Sequence, residues 1–212
     1  MRYNLEVVLG SVLMPKILGA YERELHPIIE DACTRQPEIV INIGAGEGYY
    51  AVGLATRLRQ SRIIAFEEND FSRNSLMGLA NVNGVADRIE LLARCEPGDL
   101  RNVVPATGAF VLCDIEGNEE TVLNPDAAPG LRNSEILVEI HDFVTRGLGD
   151  VIRARFDATH NVGVVWQEDR HLSDFPRPAW FQKLLPEAYS LAFLHEGRPE
   201  RMYWLHMRPR ES

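Results

Sequence analysis

Residues 38–50, EIVINIGAGEGYY, run an apolar stretch straight into three glycines, Gly44, Gly46 and Gly48, with Tyr49 and Tyr50 directly behind. Glycine weakens strands and helices alike, so a cluster here is tolerated where the chain needs backbone without side chains. A buried strand, a tight turn and a helix satisfy both halves of the pattern. Ile39, Val40 and Ile41 make the strand, and Val52, Ala55 and Leu58 fall on the inward face of a helix from Tyr49 to Gln60. In such a turn bare main chain and the following helix N-terminus approach a ligand, so the glycines read as room made for a small molecule.

Outward from this stretch the same alternation recurs. RIIAFE (62–67) is a second strand, SRNSLMGLANVNG (72–84) a helix ending at Gly84, and RIELLA (88–93) a third strand. After a short helix, AFVLCDIEG (109–117) and EILVEIH (135–141) are strands four and five, and NVGVVWQ (161–167) and RMYWLHM (201–207) the last two. Strands alternating with helices predict an α/β fold with a doubly wound seven-stranded sheet, mostly parallel with an antiparallel last strand, and helices on both faces. Upstream, Leu18, Tyr21, Leu25, Ile28 and Ile29 recur at helical spacing, which predicts one helix over 18–33 bent at Pro27. Residues 1–36 thus read as an N-terminal helical segment, and 37–212 as the remainder of a single domain.

Bulk properties narrow the function. With 212 residues the chain is long enough for one sizeable core. Its net charge is -9 and it has no Lys/Arg run, so nucleic acid is not an expected partner. Cys33, Cys95 and Cys113 form no CxxC pair and no even set, which fits reduced thiols in the cytoplasm. The apolar stretch LEVVLGSVLMPKILGA (5–20) is broken by Glu6, Pro15 and Lys16, unlike a secretory signal, and no run approaches the ~18 apolar residues of a membrane span.

In open sheets of this kind ligands sit beyond the carboxyl ends of the strands. A dinucleotide turn is G-x-G-x-x-G; here the spacing is G-x-G-x-G, with Tyr49 where the third glycine would stand. Glu67 ends strand two, about 20 residues beyond the turn, where a carboxylate accepts hydrogen bonds from ribose hydroxyls. Side chains two apart on a strand share a face, so Glu139 and His141 point together as strand five ends, and Asp114 ends strand four. If those strands are neighbours, two carboxylates and an imidazole converge beside the pocket, with Glu116 and Asp142 close behind. Such a group can hold a divalent cation such as Mg, Mn, Zn or Fe, or supply a general base directly from His141 or Glu139. It can also be a buried acid–histidine cluster that satisfies only itself.

With these residues in view, the chain resembles the class I S-adenosylmethionine-dependent methyltransferases. That resemblance implies a Rossmann-like fold in which NIGAGEG holds the cofactor's amino-acid portion, Glu67 its ribose, and the loop ARCEPGDL (93–100) its adenine, making Arg94, Cys95 and Glu96 adenine-side candidates. An acid is common in that family where this chain has Asn42. The stretch CDIEGNEETVL (113–123) is similar to the D-x-E-G-x-E signature of FkbM-like methyltransferases, many linked to O-methylation, and EILVEIHDF (135–143) looks like that group's next strand. The resemblance covers Ile39 to Phe143.

The expectation is therefore a methyltransferase acting on an oxygen of a small-molecule acceptor. Gly44, Ala45, Gly46, Gly48, Tyr49, Glu67, Cys95 and Asp114 would bind S-adenosyl-L-methionine; Asp114, Glu139 and His141 would carry the chemistry or a metal. Rival readings are an NAD(P)-dependent oxidoreductase and a non-catalytic cofactor-binding protein. The acceptor's walls are sought in the N-terminal segment and in DFPRPAWF (174–181), where Phe175, Trp180 and Phe181 could form a lid, although Trp166, Trp180 and Trp204 read more readily as core. His160, Arg170 and His171 are secondary candidates, and Arg198 and Arg201 read as solvated surface. The apolar N-terminal segment could cover a neighbouring subunit in a homo-oligomer.

Overall fold

The computed structural model describes residues 1–3, 12–175, 187–198 and 200–210. Seven strands form one sheet: β1 Ile39–Ile43, β2 Arg62–Phe66, β3 Ile89–Leu92, β4 Phe110–Cys113, β5 Glu135–Ile140, β6 His160–Trp166 and β7 Tyr203–Pro209. Their order is β3-β2-β1-β4-β5-β7-β6, and β7 runs antiparallel to both of its neighbours while the other pairs are parallel. The doubly wound, Rossmann-like α/β sheet expected from the alternation is the fold of this chain.

Burial explains the strand composition. β5 is buried at every position and β1 at four of five, because a parallel sheet is covered on both faces and has no solvent side for polar residues. On one face Val40, Leu112 and Leu137 pack with helices α2 (His26–Arg35), α3 (Tyr49–Arg57) and α4 (Asp70–Val82). Ile41, Val111, Ile136 and Val138 pack on the opposite face with α5 (Leu148–Phe156). Helix α4 starts where Asn69 Oδ1 accepts from the Phe71 and Ser72 amides, a side-chain cap that the sequence NDFS announces.

The N-terminal region departs from the single bent helix predicted over 18–33. Helix α1 spans Leu13–Leu18 and ends at Gly19 in the left-handed conformation (φ 68°), a 3-10 turn follows over Arg23–Leu25, and α2 starts afresh at His26. Pro27 lies in the first turn of α2, where no amide donor is required, and so opens a helix instead of bending one. Ile28, Ala32 and Cys33 of α2 join the core on one sheet face. No helix among the described residues is long and apolar enough to cross a membrane.

The chain leaves β1 outward through β2 to β3, then returns to place β4 on the other side of β1. That reversal opens a crevice beyond the carboxyl ends of β1 and β4.

Candidate functional site

The glycine turn is built as much for the protein's own packing as for a ligand. Gly44 (φ 76°) lies so close to the end of β4 that a Cβ there would sit 1.7 Å from the Asp114 carbonyl oxygen. At Gly48 (φ 97°) a Cβ would meet Leu76 Cγ at 2.7 Å, so this residue lets α3 approach α4. Only Gly46 (φ 54°) faces space: a Cβ there would meet nothing within 4 Å. Gly44 thus also serves the contact with the end of β4 and Gly48 the contact between α3 and α4, while Gly46 has open space before it.

The crevice has two adjoining lobes of about 220 and 280 Å³, both bordered by Gly44, Glu67, Asp114 and Glu116. Together they fall in the ~300–1,000 Å³ range of small-molecule sites. Arg94, Cys95 and Ile115 line the smaller lobe. Asn42, Ala45, Gly46, Tyr49 and Trp204 line the larger, with Lys16 and Tyr21 from the N-terminal region. Glu96 turns away, its side chain 64% exposed beside Arg94. Burial pushes the Cys95 thiol up to about 12, with Asp99 and Glu96 adding to it, so it offers an apolar wall, not a thiolate. A separate cavity of about 500 Å³ between α2 and α3 touches the crevice at Lys16, Tyr49 and Tyr50 but gathers no comparable group of carboxylates.

Glu67 is ordered by main chain. Gly46 N–H donates to its Oε2 (2.7 Å) and Asn69 N–H to its Oε1 (2.8 Å), which fixes the carboxylate across the turn. Asn42 is buried at the crevice floor and its Oδ1 has no donor; Asp114 Oδ1 is likewise without one. Unpaired buried acceptors are costly, so both mark a place where a donor or cation is wanted.

β4 and β5 are neighbours with Cys113 opposite Val138, which brings the three residues singled out at their ends together. Asp114, Glu139 and His141 each offer a ligand atom within 4.8 Å of the others. His141 Nε2 lies 3.5 Å from Asp114 Oδ1, 3.5 Å from Glu116 Oε2 and 3.8 Å from Glu139 Oε2. On its other side Nδ1 meets Glu119 Oε1 at 2.6 Å. Burial alone would lower the His141 pKa, but the Glu119 hydrogen bond and the charges of Asp114, Glu119 and Glu116 outweigh it and hold the ring above its ordinary value. Burial, followed by the charge of Glu22, pushes Asp114 up to about 7, against the pull of His141.

Two participants escaped the sequence reading. Glu119, quoted as the last acid of D-x-E-G-x-E, is fully buried against His141. Arg198, read as surface, has only 12% of its side chain exposed and pairs with Glu22, Glu139 and Glu196. Glu139 Oε1 therefore already holds a guanidinium, which leaves Oε2 as the oxygen facing His141. No local pattern in GRPER signals this burial, because it arises from segments far apart in the chain. Arg170 is buried in the same way against Glu24 and Glu196.

Other candidates lie elsewhere. His160 is the first residue of β6, fully buried, with Thr159 Oγ1 at 2.8 Å from Nδ1 and the Ser134 carbonyl at 2.9 Å from Nε2: a core residue. Phe175 packs with Leu18, Ala20 and Leu194, while Trp180 and Phe181 lie outside the described residues. Trp204 is core at the crevice floor and Trp166 is 47% exposed.

No protein-family model matches this sequence, and none of the curated proteins does. Solved structures share its fold. The O-methyltransferase TomG from Streptomyces achromogenes, involved in tomaymycin synthesis and solved with SAM, is 14% identical, with 89% of this chain and 80% of that chain covered and a TM-score of 0.56. Precorrin 8W decarboxylase from Methanobacterium thermoautotrophicum is 15% identical over 86% of this chain and 89% of its own, with a TM-score of 0.55. Precorrin-6y C5,15-methyltransferase from Geobacter metallireducens is 12% identical over 85% and 86%, with a TM-score of 0.52. At such identities the likeness is one of fold.

Proposed function

We propose that this chain transfers the methyl group of S-adenosylmethionine to an oxygen of a small-molecule acceptor. The observation that carries the reading is the pair of donorless acceptors, Asn42 Oδ1 and Asp114 Oδ1, in a crevice bordered by Gly46 and Glu67 at the point where strand order reverses. The cofactor's ammonium and ribose hydroxyls are donors, and its sulfonium is a cation among acids. A dinucleotide fits this crevice poorly: its diphosphate would face Glu47, Glu67, Asp114 and Glu116 in addition to a misplaced third glycine. The fold shared with SAM-bound TomG supports the same reading, as does the D-x-E-G-x-E resemblance to the FkbM-like group.

A sulfonium methyl is already electrophilic, so the protein has chiefly to align the acceptor oxygen and take its proton. His141 Nε2, 3.5 Å from the crevice residues Asp114 and Glu116, accepts that proton; the oxygen bonds to the methyl carbon as the carbon–sulfur bond breaks and leaves its electron pair on sulfur. Asp114 and Glu139 border the developing imidazolium. A second reading is favoured by the spacing of Asp114, Glu139 and His141 within 4.8 Å, which fits one oxygen, one oxygen and one nitrogen donor to a divalent ion such as Mg, Mn, Zn or Fe. Bound there, such an ion would supply Lewis-acid polarisation of the acceptor oxygen, and elemental analysis of the purified protein decides its presence.

The test of the main reading is calorimetric titration with S-adenosylmethionine. Binding is expected, and Glu67→Ala should weaken it by about 1–3 kcal/mol through lost charge-assisted hydrogen bonds. Absence of binding to the wild-type protein removes the assignment.

A further inference from the structure

Two histidines in this fold are buried, and their surroundings differ in kind. His160 has neutral partners at both ring nitrogens, a hydroxyl and a carbonyl. His141 has a fully buried carboxylate at one nitrogen, and at the other the oxygens of Glu139 and of Asp114 and Glu116, two residues that border the crevice. Enclosing a carboxylate is costly unless it is paired, and a neutral glutamine would have satisfied the ring equally well.

The main chain is arranged around that contact. Glu116 (φ 58°) and Gly117 (φ 104°) are consecutive left-handed residues that turn the chain back, so that Gly117 N–H donates to Glu119 Oε1 at 3.1 Å. A Cβ on Gly117 would lie 2.6 Å from Val144 Cγ1, which shows how closely this turn packs on the loop after β5. That loop is tied down in turn: the Val144 and Thr145 amides donate to the His141 carbonyl oxygen (2.9 and 3.0 Å), and Thr145 Oγ1 donates to the Gly117 carbonyl oxygen (3.0 Å). Glu119 Oε1 already accepts from Gly117 N–H and so acts as an acceptor, which assigns the proton in the 2.6 Å contact to Nδ1. In the neutral ring Nε2 is then left with the lone pair, 3.5 Å from Asp114 Oδ1 and from Glu116 Oε2.

We propose that Glu119 is a positioning residue: it holds His141 in the Nδ1–H form and so leaves Nε2 unprotonated on the side of Asp114 and Glu116, at the border of the crevice, to take the acceptor's proton. The identity of that acceptor rests on the methyl-transfer reading; the tautomer does not. In the step itself the hydroxyl oxygen gains the methyl carbon, sulfur keeps the electron pair of the broken bond, and the released proton ends on Nε2. Glu119 then faces an imidazolium and stabilises it.

The test is a long-range proton–nitrogen correlation spectrum of the full-length 15N-labelled protein at alkaline pH, with the His141 signal identified by its loss in His141→Gln. A protonated Nδ1 and a bare Nε2 are expected in the wild type. Glu119→Gln, which still offers a carbonyl oxygen, should retain this form, and Glu119→Ala should lose it in favour of Nε2–H with circular dichroism unchanged. An Nε2–H ring in the wild type, or an unaltered Nδ1–H ring in Glu119→Ala, overturns the proposal. Should Glu119→Ala fail to fold, the wild type and Glu119→Gln decide alone, and an Nε2–H ring in either overturns it. S-adenosylmethionine titrated into the same samples separates the two claims: binding with an Nε2–H ring sinks the role of Glu119, and no binding with an Nδ1–H ring sinks only the methyl-transfer reading.

Discussion

The three glycines of the first turn look alike in the sequence and differ in what they touch. Gly44→Ala would drive a Cβ to 1.7 Å from the Asp114 carbonyl oxygen, and backbone cannot yield as a flexible side chain does. We expect a loss of about 3 kcal/mol or more, combining overpacking with left-handed strain. Gly46→Ala meets nothing within 4 Å and carries only the strain, about 1–2 kcal/mol. Urea unfolding of the two variants measures the difference, and equal midpoints would contradict this account of the turn. The same contrast marks what was legible at this scale: that glycines were needed could be read from their clustering, whereas which of them has open space before it depends on how near β4 and α4 come.

Among the elements, the ends of β5 have separate work. Its carboxyl end carries Glu139 and leads into His141, while Glu135 at its start binds Arg35 of α2 and His206 and Arg208 of β7. Burial alone would raise the Glu135 pKa; the hydrogen bond from His206 and the charge of Arg35 overcome it and hold it below its ordinary value. Beside it, burial lowers the pKa of His160 below 6.5, against the pull of its Ser134 hydrogen bond. Below about pH 6.5 the unfolded chain therefore binds a proton that the folded state refuses, and stability falls as pH drops; Glu135 adds a further loss below its unfolded value, near pH 4.5. His141 is shifted upward and acts with the opposite sign, so the informative quantity is a difference. His160→Gln should flatten the decline in urea midpoint between about pH 7 and 5 relative to wild type. Parallel curves would show that His160 titrates alike in both states. Strand boundaries were readable to within a few residues because alternation and apolar runs are local signals. The split of the predicted 18–33 helix was not, since Pro27 is compatible both with a kink and with a first turn, and only the docking of α2 on the sheet selects one.

Across the whole molecule, a buried charge network joins segments that the sequence keeps far apart. Arg198 binds Glu22, Glu139 and Glu196, and Arg170 binds Glu24 and Glu196, so the N-terminal turn, the end of β5 and the approach to β7 meet beside the crevice. Arg198→Met would leave Glu22 and Glu139 buried without their guanidinium, and we expect a loss of about 3–5 kcal/mol in chemical denaturation. An unchanged midpoint would return Arg198 to the solvated surface where the sequence alone had put it. The strand–turn–helix alternation, the glycine turn and the acids at strand ends were determined by sequence, because periodicity, backbone freedom and the faces of a strand are properties of neighbouring residues. The orphaned acceptors of Asn42 and Asp114, the carboxylate behind His141 and the burial of Arg198 were decided by tertiary structure, because solvent exclusion and charge pairing depend on which distant segments close over a residue.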